Sequence, residues 1–170
     1  MEIWSTNSSD DYDWSPLSCC HSLWKLRLLV RKLKKLPKLE EFPPNLRKLV
    51  MVMYQLEEDP FPTLEMLPYL ETLTLSHPLS GYEGHFMTKY YFSAMGFGRL
   101  QYLRLHEVDF LEELEVEKGA LPCLVLLHIS SCWNLRMLPE GLRFITSLKK
   151  LENYIHLFCS IGTTKQQAWV

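Results

Sequence analysis

The sequence lacks any apolar run long enough to cross a membrane, and residues 1–14 are polar and acidic. A membrane-spanning helix needs about 20 consecutive apolar residues, and a secretory signal needs an apolar stretch of about 7–15 residues. Neither is present, so the sequence predicts no membrane span and no signal peptide. We therefore expect a cytoplasmic location.

Cysteine is scarce, and its spacing is irregular. The five cysteines are Cys19, Cys20, Cys123, Cys132 and Cys159. A disulfide framework requires an even set, and a zinc site requires four ligands, usually in short pairs. The pair formed by His128 and Cys132 and the cluster Cys19-Cys20-His21 supply no such set. The sequence thus predicts neither a disulfide framework nor a metal site.

The phosphate-binding loop GxxxxGK[ST] is also missing. A partial match, Gly162 to Lys165, has neither the first glycine nor a preceding strand. Carboxylates such as Glu112 and Glu113 could serve as acid and base, but nothing ties them to a nucleophile or a pocket. We expect no cofactor, no catalytic residues and no enzymatic activity.

Leucine, by contrast, recurs in an LxxLxL pattern at a nearly fixed period. The first leucines of successive units are separated by 23, 24, 30, 24 and 24 residues. A period of about 20–29 residues with this internal pattern is typical of a leucine-rich repeat solenoid, because no unit can bury its leucines alone. The pattern occupies Leu23, Leu26 and Leu28; Leu46, Leu49 and Met51; Leu70, Leu73 and Leu75; Leu100, Leu103 and Leu105; Leu124, Leu127 and Ile129; and Leu148 and Leu151.

The last two positions of each LxxLxL unit lie two residues apart, so their side chains point to the same side of a short strand. We predict an α/β solenoid in which a short parallel sheet forms the concave side and irregular or short helical segments form the convex side. The returning segments contribute further apolar anchors, namely Leu33, Leu36, Phe61, Leu64, Leu67, Phe110, Leu114, Leu138, Leu142 and Ile145.

The chain divides into three predicted parts. We expect a polar, partly disordered segment at residues 1–22, a repeat domain of about six units at 23–153, and an imperfect cap or loose tail at 154–170. The last unit fails at its third position, where Asn153 stands in place of an apolar residue. The longest unit carries an insertion near 81–98, and its glycines predict a loop.

The residues between the leucines point away from the core and form the predicted functional surface. Five of these outward positions are basic and one is acidic, whereas the other acids concentrate in the returning segments, so the two sides differ in charge. Arg104 and His128 should share a column, with Tyr102 and Leu126 beside them, and Tyr and Arg often dominate interface energetics. The candidate protein-binding residues are Lys48, Tyr102, Arg104, His106, Leu126, His128 and Lys150, with Lys25 and Arg27 at the rim.

Several phrases within the repeats carry a family resemblance. They are Pro43-Pro44-Asn45-Leu46, the stretch from Leu56 through Glu58-Asp59-Pro60 to Leu64-Glu65, Leu111-Glu112-Glu113, and Cys132 to Leu135 followed by Leu138-Pro139-Glu140-Gly141-Leu142. Together, across residues 23–152, they resemble plant disease-resistance proteins of the coiled-coil, nucleotide-binding, leucine-rich-repeat class. The resemblance implies the C-terminal sensor region of an intracellular immune receptor. Its partner would be a pathogen effector or the receptor's nucleotide-binding domain.

Three other functions compete with this interpretation. The first is a general leucine-rich repeat scaffold or adaptor in signalling. The second is a basic amphipathic helix at Lys25 to Lys38 that binds lipid or calmodulin, but Pro37 would break that helix. The third is a nucleic-acid binder, which the middle strand disfavours because its outward residues Thr72, Thr74 and Ser76 are neither basic nor aromatic.

Overall fold

The structure, a computed structural model, describes residues 2–5, 14–30, 36–53, 59–77 and 88–154. Strands within these ranges are β1 (Glu2–Ser5), β2 (Lys25–Val30), β3 (Lys48–Met53), β4 (Thr72–His77), β5 (Lys89–Phe92), β6 (Tyr102–Val108), β7 (Glu113–Val116), β8 (Leu126–Ser130) and β9 (Lys150–Tyr154). Short helices are α1 (Ser15–Ser18), α2 (Phe61–Leu64) and two 3-10 helices at Leu39–Glu41 and Glu140–Phe144.

Seven of the strands form one parallel sheet in the order β1-β2-β3-β4-β6-β8-β9. The second leucine of each LxxLxL unit pairs with its counterpart in the next, through Leu26, Leu49, Leu73, Leu103, Leu127 and Leu151. The first five of these are at most 1% exposed, and each fully buried leucine contributes about 1.5–3 kcal/mol. The predicted leucine-rich repeat solenoid is confirmed.

One backbone arrangement recurs before five strands of this sheet, β2, β3, β4, β6 and β8. The carbonyl of one residue accepts two N–H groups from the next repeat; the Trp24 carbonyl, for example, accepts from Arg47 and Lys48, both at 2.9 Å. The same arrangement recurs at the carbonyls of Arg47, Glu71, Gln101 and Val125. These bonds hold each repeat to the next in the observed register.

The convex side departs from the prediction at the insertion. Residues 81–98 were expected to form a loop, but Lys89–Phe92 is the strand β5, which pairs in parallel with β7 as a second, two-stranded sheet. Burial alternates along β5, with Tyr90 and Phe92 pointing inward. The loop prediction is wrong here because two buried aromatic side chains outweigh nearby glycines; residues 78–87 lie outside the described part.

An aromatic cluster holds this second sheet against the core. The Phe61 ring makes edge-to-face contacts with Tyr90 and Phe92 at centroid distances of 4.7 and 4.9 Å, and Phe97 lies 6.2 Å away. Such pairs add about 0.5–1.5 kcal/mol beyond area burial.

The other predicted anchors differ in their burial. Leu64, Leu67, Leu114 and Ile145 are buried, and Leu36, Leu138 and Leu142 are partly buried against the core. Phe110 is half-buried, and Leu33 lies outside the described ranges.

The N-terminal segment contains structure that the leucine pattern does not reveal. Strand β1 extends the sheet by pairing Ile3 with Leu28, and the side chains of Trp14 and Leu17 are buried.

The proposed domain boundaries after residues 22 and 153 stay predictions. The expected cap or tail beyond residue 154 lies outside the described residues. None of the helices in the described ranges is long and apolar enough to span a membrane.

Gly141 offers a test of this packing. A Cβ atom there would lie 1.8 Å from the carbonyl oxygen of Val116, whereas a Cβ at Gly98 would meet nothing within 4 Å. We expect Gly141→Ala to lower the free energy of unfolding by about 1–3 kcal/mol, since backbone must move to accept the methyl group. Gly98→Ala should change it by less than about 1 kcal/mol. Urea unfolding measures both, and equal effects would contradict the close approach.

Candidate functional site

The outward-facing residues of the seven-stranded sheet form a concave face of three columns. In sequence order, the first column holds Lys25, Lys48, Thr72, Tyr102, Leu126 and Lys150. The second holds Arg27, Val50, Thr74, Arg104, His128 and Glu152, and the third holds Leu29, Val52, Ser76, His106, Ser130 and Tyr154. These pairings match the columns that the sequence predicted.

The structure brings the predicted centre of the site together. Arg104 pairs with His128 and Tyr102 with Leu126 on the adjacent strands β6 and β8, which in a sheet lie about 4.8 Å apart. Tyr102 is 45% exposed, Arg104 is exposed and Leu126 is half-buried. Lys48 lies two strands away from Tyr102, because β4 intervenes.

Unlike Lys150, whose ammonium contacts Glu152, Arg104 has no carboxylate beside it in the sheet. Within the described ranges, its guanidinium makes neither an ion pair nor a hydrogen bond. Its cross-strand neighbours are Thr74 and His128, neither of which is an anion. The charge of Arg104 is therefore not compensated by an adjacent carboxylate and is open to a binding partner.

A chain of hydrogen bonds crosses the C-terminal end of the concave face. The Glu152 carboxylate accepts from the Lys150 ammonium at 2.5 Å and from His128 Nδ1 at 2.8 Å. His128 Nε2 lies 3.0 Å from Ser130 Oγ, and Ser130 Oγ lies 2.9 Å from His106 Nδ1. These contacts orient both imidazole rings.

Glu152 changes the interpretation of this end of the site. The hydrogen bond from Lys150, and then the one from His128, hold the pKa of the Glu152 carboxyl below its usual value of 4.5. The carboxylate is thus charged at neutral pH and compensates Lys150. The sequence placed Lys150 and His128 among the candidate binding residues without predicting their contact with Glu152, although an acid in the column of His128 was the available signal.

The convex side carries the opposite charge. Four glutamates, Glu112, Glu113, Glu115 and Glu117, lie on or beside β7. Lys89 Nζ contacts Glu115 at 2.6 Å and Glu113 at 3.6 Å, and Arg136 contacts Glu112 at 2.6 Å. The two sides of the solenoid therefore present different surfaces to partners.

Comparison with known proteins identifies the family. The chain is similar to disease resistance protein RPP8 of Arabidopsis thaliana, with 38% identity over 130 residues, or 76% of the chain. It belongs to the plant disease-resistance proteins. Two further Arabidopsis relatives are disease resistance RPP8-like protein 3, 39% identical over 76% of the chain, and disease resistance protein RPH8A, 38% identical over 73%. No family model and no solved structure matches.

The match covers only a small share of these relatives. It spans 14% of RPP8, 14% of RPP8-like protein 3 and 13% of RPH8A. The resemblance to coiled-coil, nucleotide-binding, leucine-rich-repeat proteins is confirmed, and in this disease-resistance chain the shared part has a leucine-rich repeat fold.

The Glu152 network of this disease-resistance protein predicts a measurable pKa. We expect NMR titration to give Glu152 a pKa below 4.5, and Lys150→Met to raise it, because that substitution removes the stronger hydrogen bond. The depressed pKa stabilises the fold above about pH 4.5, and this contribution is lost as the pH falls through the folded value. The control Lys149→Met should leave the pKa of Glu152 unchanged; a similar rise in both variants would contradict a specific contact.

Proposed function

We propose that this chain is a protein-recognition module of an intracellular plant immune receptor, acting in the cytoplasm in the defence response. It binds an acidic surface of a pathogen effector or of the receptor's own nucleotide-binding domain, and it binds without catalysing a reaction. Membership of the disease-resistance family supports the defence role. The uncompensated Arg104 beside exposed Tyr102 is the single observation that favours the concave face as the contact surface.

The chemistry of this pair suits protein recognition. Arginine presents a planar fork of N–H donors that matches a carboxylate with two parallel hydrogen bonds. Tyrosine contributes a large rigid surface at low entropic cost, and both residue types are enriched among the residues that dominate binding. Because Arg104 has no acidic neighbour in its column, an incoming carboxylate displaces no existing ion pair.

Charge along the concave face suggests how a partner is oriented. Lys48 lies in the first column toward the N-terminal end and makes no ion pair with another described residue, whereas Lys150 at the other end is bound to Glu152. The positive surface is therefore weighted toward strands β3 to β6. Exposed cations of this kind mainly speed association and make it dependent on salt.

Charge reversal at the centre of the face tests the proposal. We expect Arg104→Glu to weaken binding to a nucleotide-binding domain from the same receptor class by about tenfold or more, and Tyr102→Ala to weaken it about three- to tenfold. Biolayer interferometry measures both dissociation constants. In leaves, the same substitutions in the full receptor should abolish effector-triggered cell death or cause it without an effector.

Lys149→Glu is the matched control. It reverses a charge on an exposed lysine that precedes β9 and lies outside the three columns, so binding and cell death should stay within about twofold of the unsubstituted protein. All variants are compared at normal protein levels. If Lys149→Glu changes binding or cell death while Arg104→Glu and Tyr102→Ala change neither binding nor cell death, the concave face is not the contact surface.

A further inference from the structure

Turns that lead into β4, β6 and β8 lie side by side between the convex elements and the concave strands. The Phe97 N–H donates to the Glu65 carbonyl at 3.4 Å, and the Leu121 N–H donates to the Gly96 carbonyl at 3.1 Å. A fourth turn follows the 3-10 helix Glu140–Phe144 and leads into β9. We call the outward side of these four segments, residues 65–69, 93–99, 117–123 and 143–147, the turn face.

Four large apolar side chains project from the turn face. Met66 is 64% exposed, Met95 is 80% exposed, and the rings of Tyr69 and Phe144 are exposed as well. Singly exposed apolar residues are normal in proteins, but an apolar patch marks an interaction site. These four side chains span three repeat spacings, or about 14 Å at roughly 4.8 Å per strand. The turn face is therefore a candidate interaction surface.

Cations accompany both aromatic rings of the turn face. The Arg99 guanidinium lies 5.1 Å from the centroid of the Tyr69 ring. The Phe144 ring has Arg143 at 4.8 Å and Lys118 of the preceding repeat at 5.8 Å, which joins the fourth turn to the others. Within the described residues, none of these three cations forms an ion pair. Their charges are open to an external anion.

Both neighbouring repeats hold the turn that carries Met95. From the preceding repeat, the Glu65 carboxylate accepts the Ser93 N–H at 2.7 Å and also the Ser93 hydroxyl. From the following repeat, the Gly119 carbonyl accepts the Met95 N–H at 3.1 Å. Met95 itself has a φ of 66°, a left-handed conformation that is costly for a residue with a side chain. These contacts impose a backbone that directs an apolar side chain outward.

Two carboxylates lie beside the turn face, and both are hydrogen-bonded within the protein. Glu65 is half-buried and binds Ser93. Glu117 accepts the Ala94 N–H at 2.6 Å and the Tyr91 hydroxyl at 2.9 Å, and these two hydrogen bonds hold the pKa of Glu117 below its usual value of 4.5. The exposed charge of the turn face is therefore positive on balance, with three cations against two engaged acids.

We propose that the turn face docks on a membrane surface that contains anionic phospholipids. Its two methionines enter the boundary between headgroups and acyl chains, its three cations meet the lipid phosphates and carboxylates, and its two rings lie at headgroup depth. The cytoplasmic leaflet of a cell membrane carries the anionic lipids that this chemistry requires. The contact is peripheral, and no segment crosses the bilayer.

The arrangement of the apolar side chains favours a lipid surface over a protein partner. Met66, Met95 and Phe144 project from three separate turns. A protein partner would need pockets at three matching positions, whereas a fluid interface accepts each side chain independently. Neither shallow apolar insertion nor surface charge gives stable attachment by itself, and membrane anchoring commonly combines the two. The turn face carries both.

Membrane docking goes beyond the proposed recognition of a protein and is compatible with it. The turn face adjoins the beginnings of the concave strands, whereas Tyr102 and Arg104 lie on the outward side of the sheet itself. A chain attached to a membrane through its turns therefore keeps its concave face accessible. Loss of one interaction need not remove the other, so the two proposals can fail separately.

Co-sedimentation of the full chain with lipid vesicles tests membrane docking. The two probes are vesicles of phosphatidylcholine with about 30% phosphatidylserine and vesicles of phosphatidylcholine alone, and about five- to tenfold tighter binding to the anionic vesicles is expected. Raising the salt from about 100 to about 500 mM should weaken that binding about fivefold or more, because exposed charges are screened.

Matched substitutions separate the contributions of charge and apolar insertion. Arg99→Glu should weaken binding to the anionic vesicles about fivefold or more, since each basic residue near such a surface contributes about that factor. Lys38→Glu reverses an exposed lysine outside the turn face and should change binding by less than about twofold. Met95→Gly should weaken binding about threefold or more, whereas Met137→Gly, at a methionine that is 72% exposed outside the turn face, should not.

Met95→Gly also guards against a trivial loss of structure. Glycine adopts a positive φ without steric cost, so this variant should unfold at a temperature no lower than the parent chain. A loss of vesicle binding by a chain of unchanged stability is then due to the missing side chain. Thermal unfolding followed by circular dichroism measures the midpoint.

Soluble anions distinguish a lipid surface from other sources of the same charge. Glycerophosphoserine, a headgroup without acyl chains, and poly-glutamate, a soluble acidic chain, are each added at about tenfold excess over the accessible lipid headgroups. Both should leave most of the chain on the vesicles, because neither accepts the methionines. The proposal is wrong if the anionic vesicles bind no chain, if either soluble anion displaces it fully, or if Met95→Gly and Met137→Gly bind equally well.

Discussion

The parallel register of the leucine units is the constraint on which the other features of this protein depend. Leu49 lies between Leu26 and Leu73, and the carbonyls of Trp24 and Arg47 hold the same neighbours by backbone hydrogen bonds. A slip of one residue would turn the leucines of a strand to the solvent and its polar residues to the core. Packing and backbone bonding thus select the same register, and that register sets the three columns of the concave face.

Once the columns are fixed, short-range electrostatics divides the concave face into two regions. At the C-terminal end, Glu152 binds Lys150 and His128 and leaves those groups with a local partner. In the middle, Arg104 stands between Thr74 and His128 and has no acidic partner within the described residues. Two cations of the same face therefore differ in what they offer to another protein. The difference arises from the single acid in the second column.

The convex side shows how one long repeat changes its neighbours. Its extra residues form β5, and Tyr90 and Phe92 pack against Phe61. β5 then supplies an edge on which β7 pairs. The following repeat does not continue this sheet because Pro139 has no N–H to donate and a 3-10 helix begins at Glu140.

Leucine spacing alone determined the solenoid, the strand register and the columns, because side-chain direction in a strand follows a period of two that is written in the local sequence. The motifs around Pro43 and Leu138 also identified the family. Other features depend on contacts between residues that are distant in the sequence. They include the contact of Glu152 with His128, the packing of Tyr90 against Phe61, and the pairing of β1 with β2. These were decided only by tertiary structure, since a hydrogen bond or a ring contact requires two groups to meet within a few ångströms, and local spacing does not specify that distance.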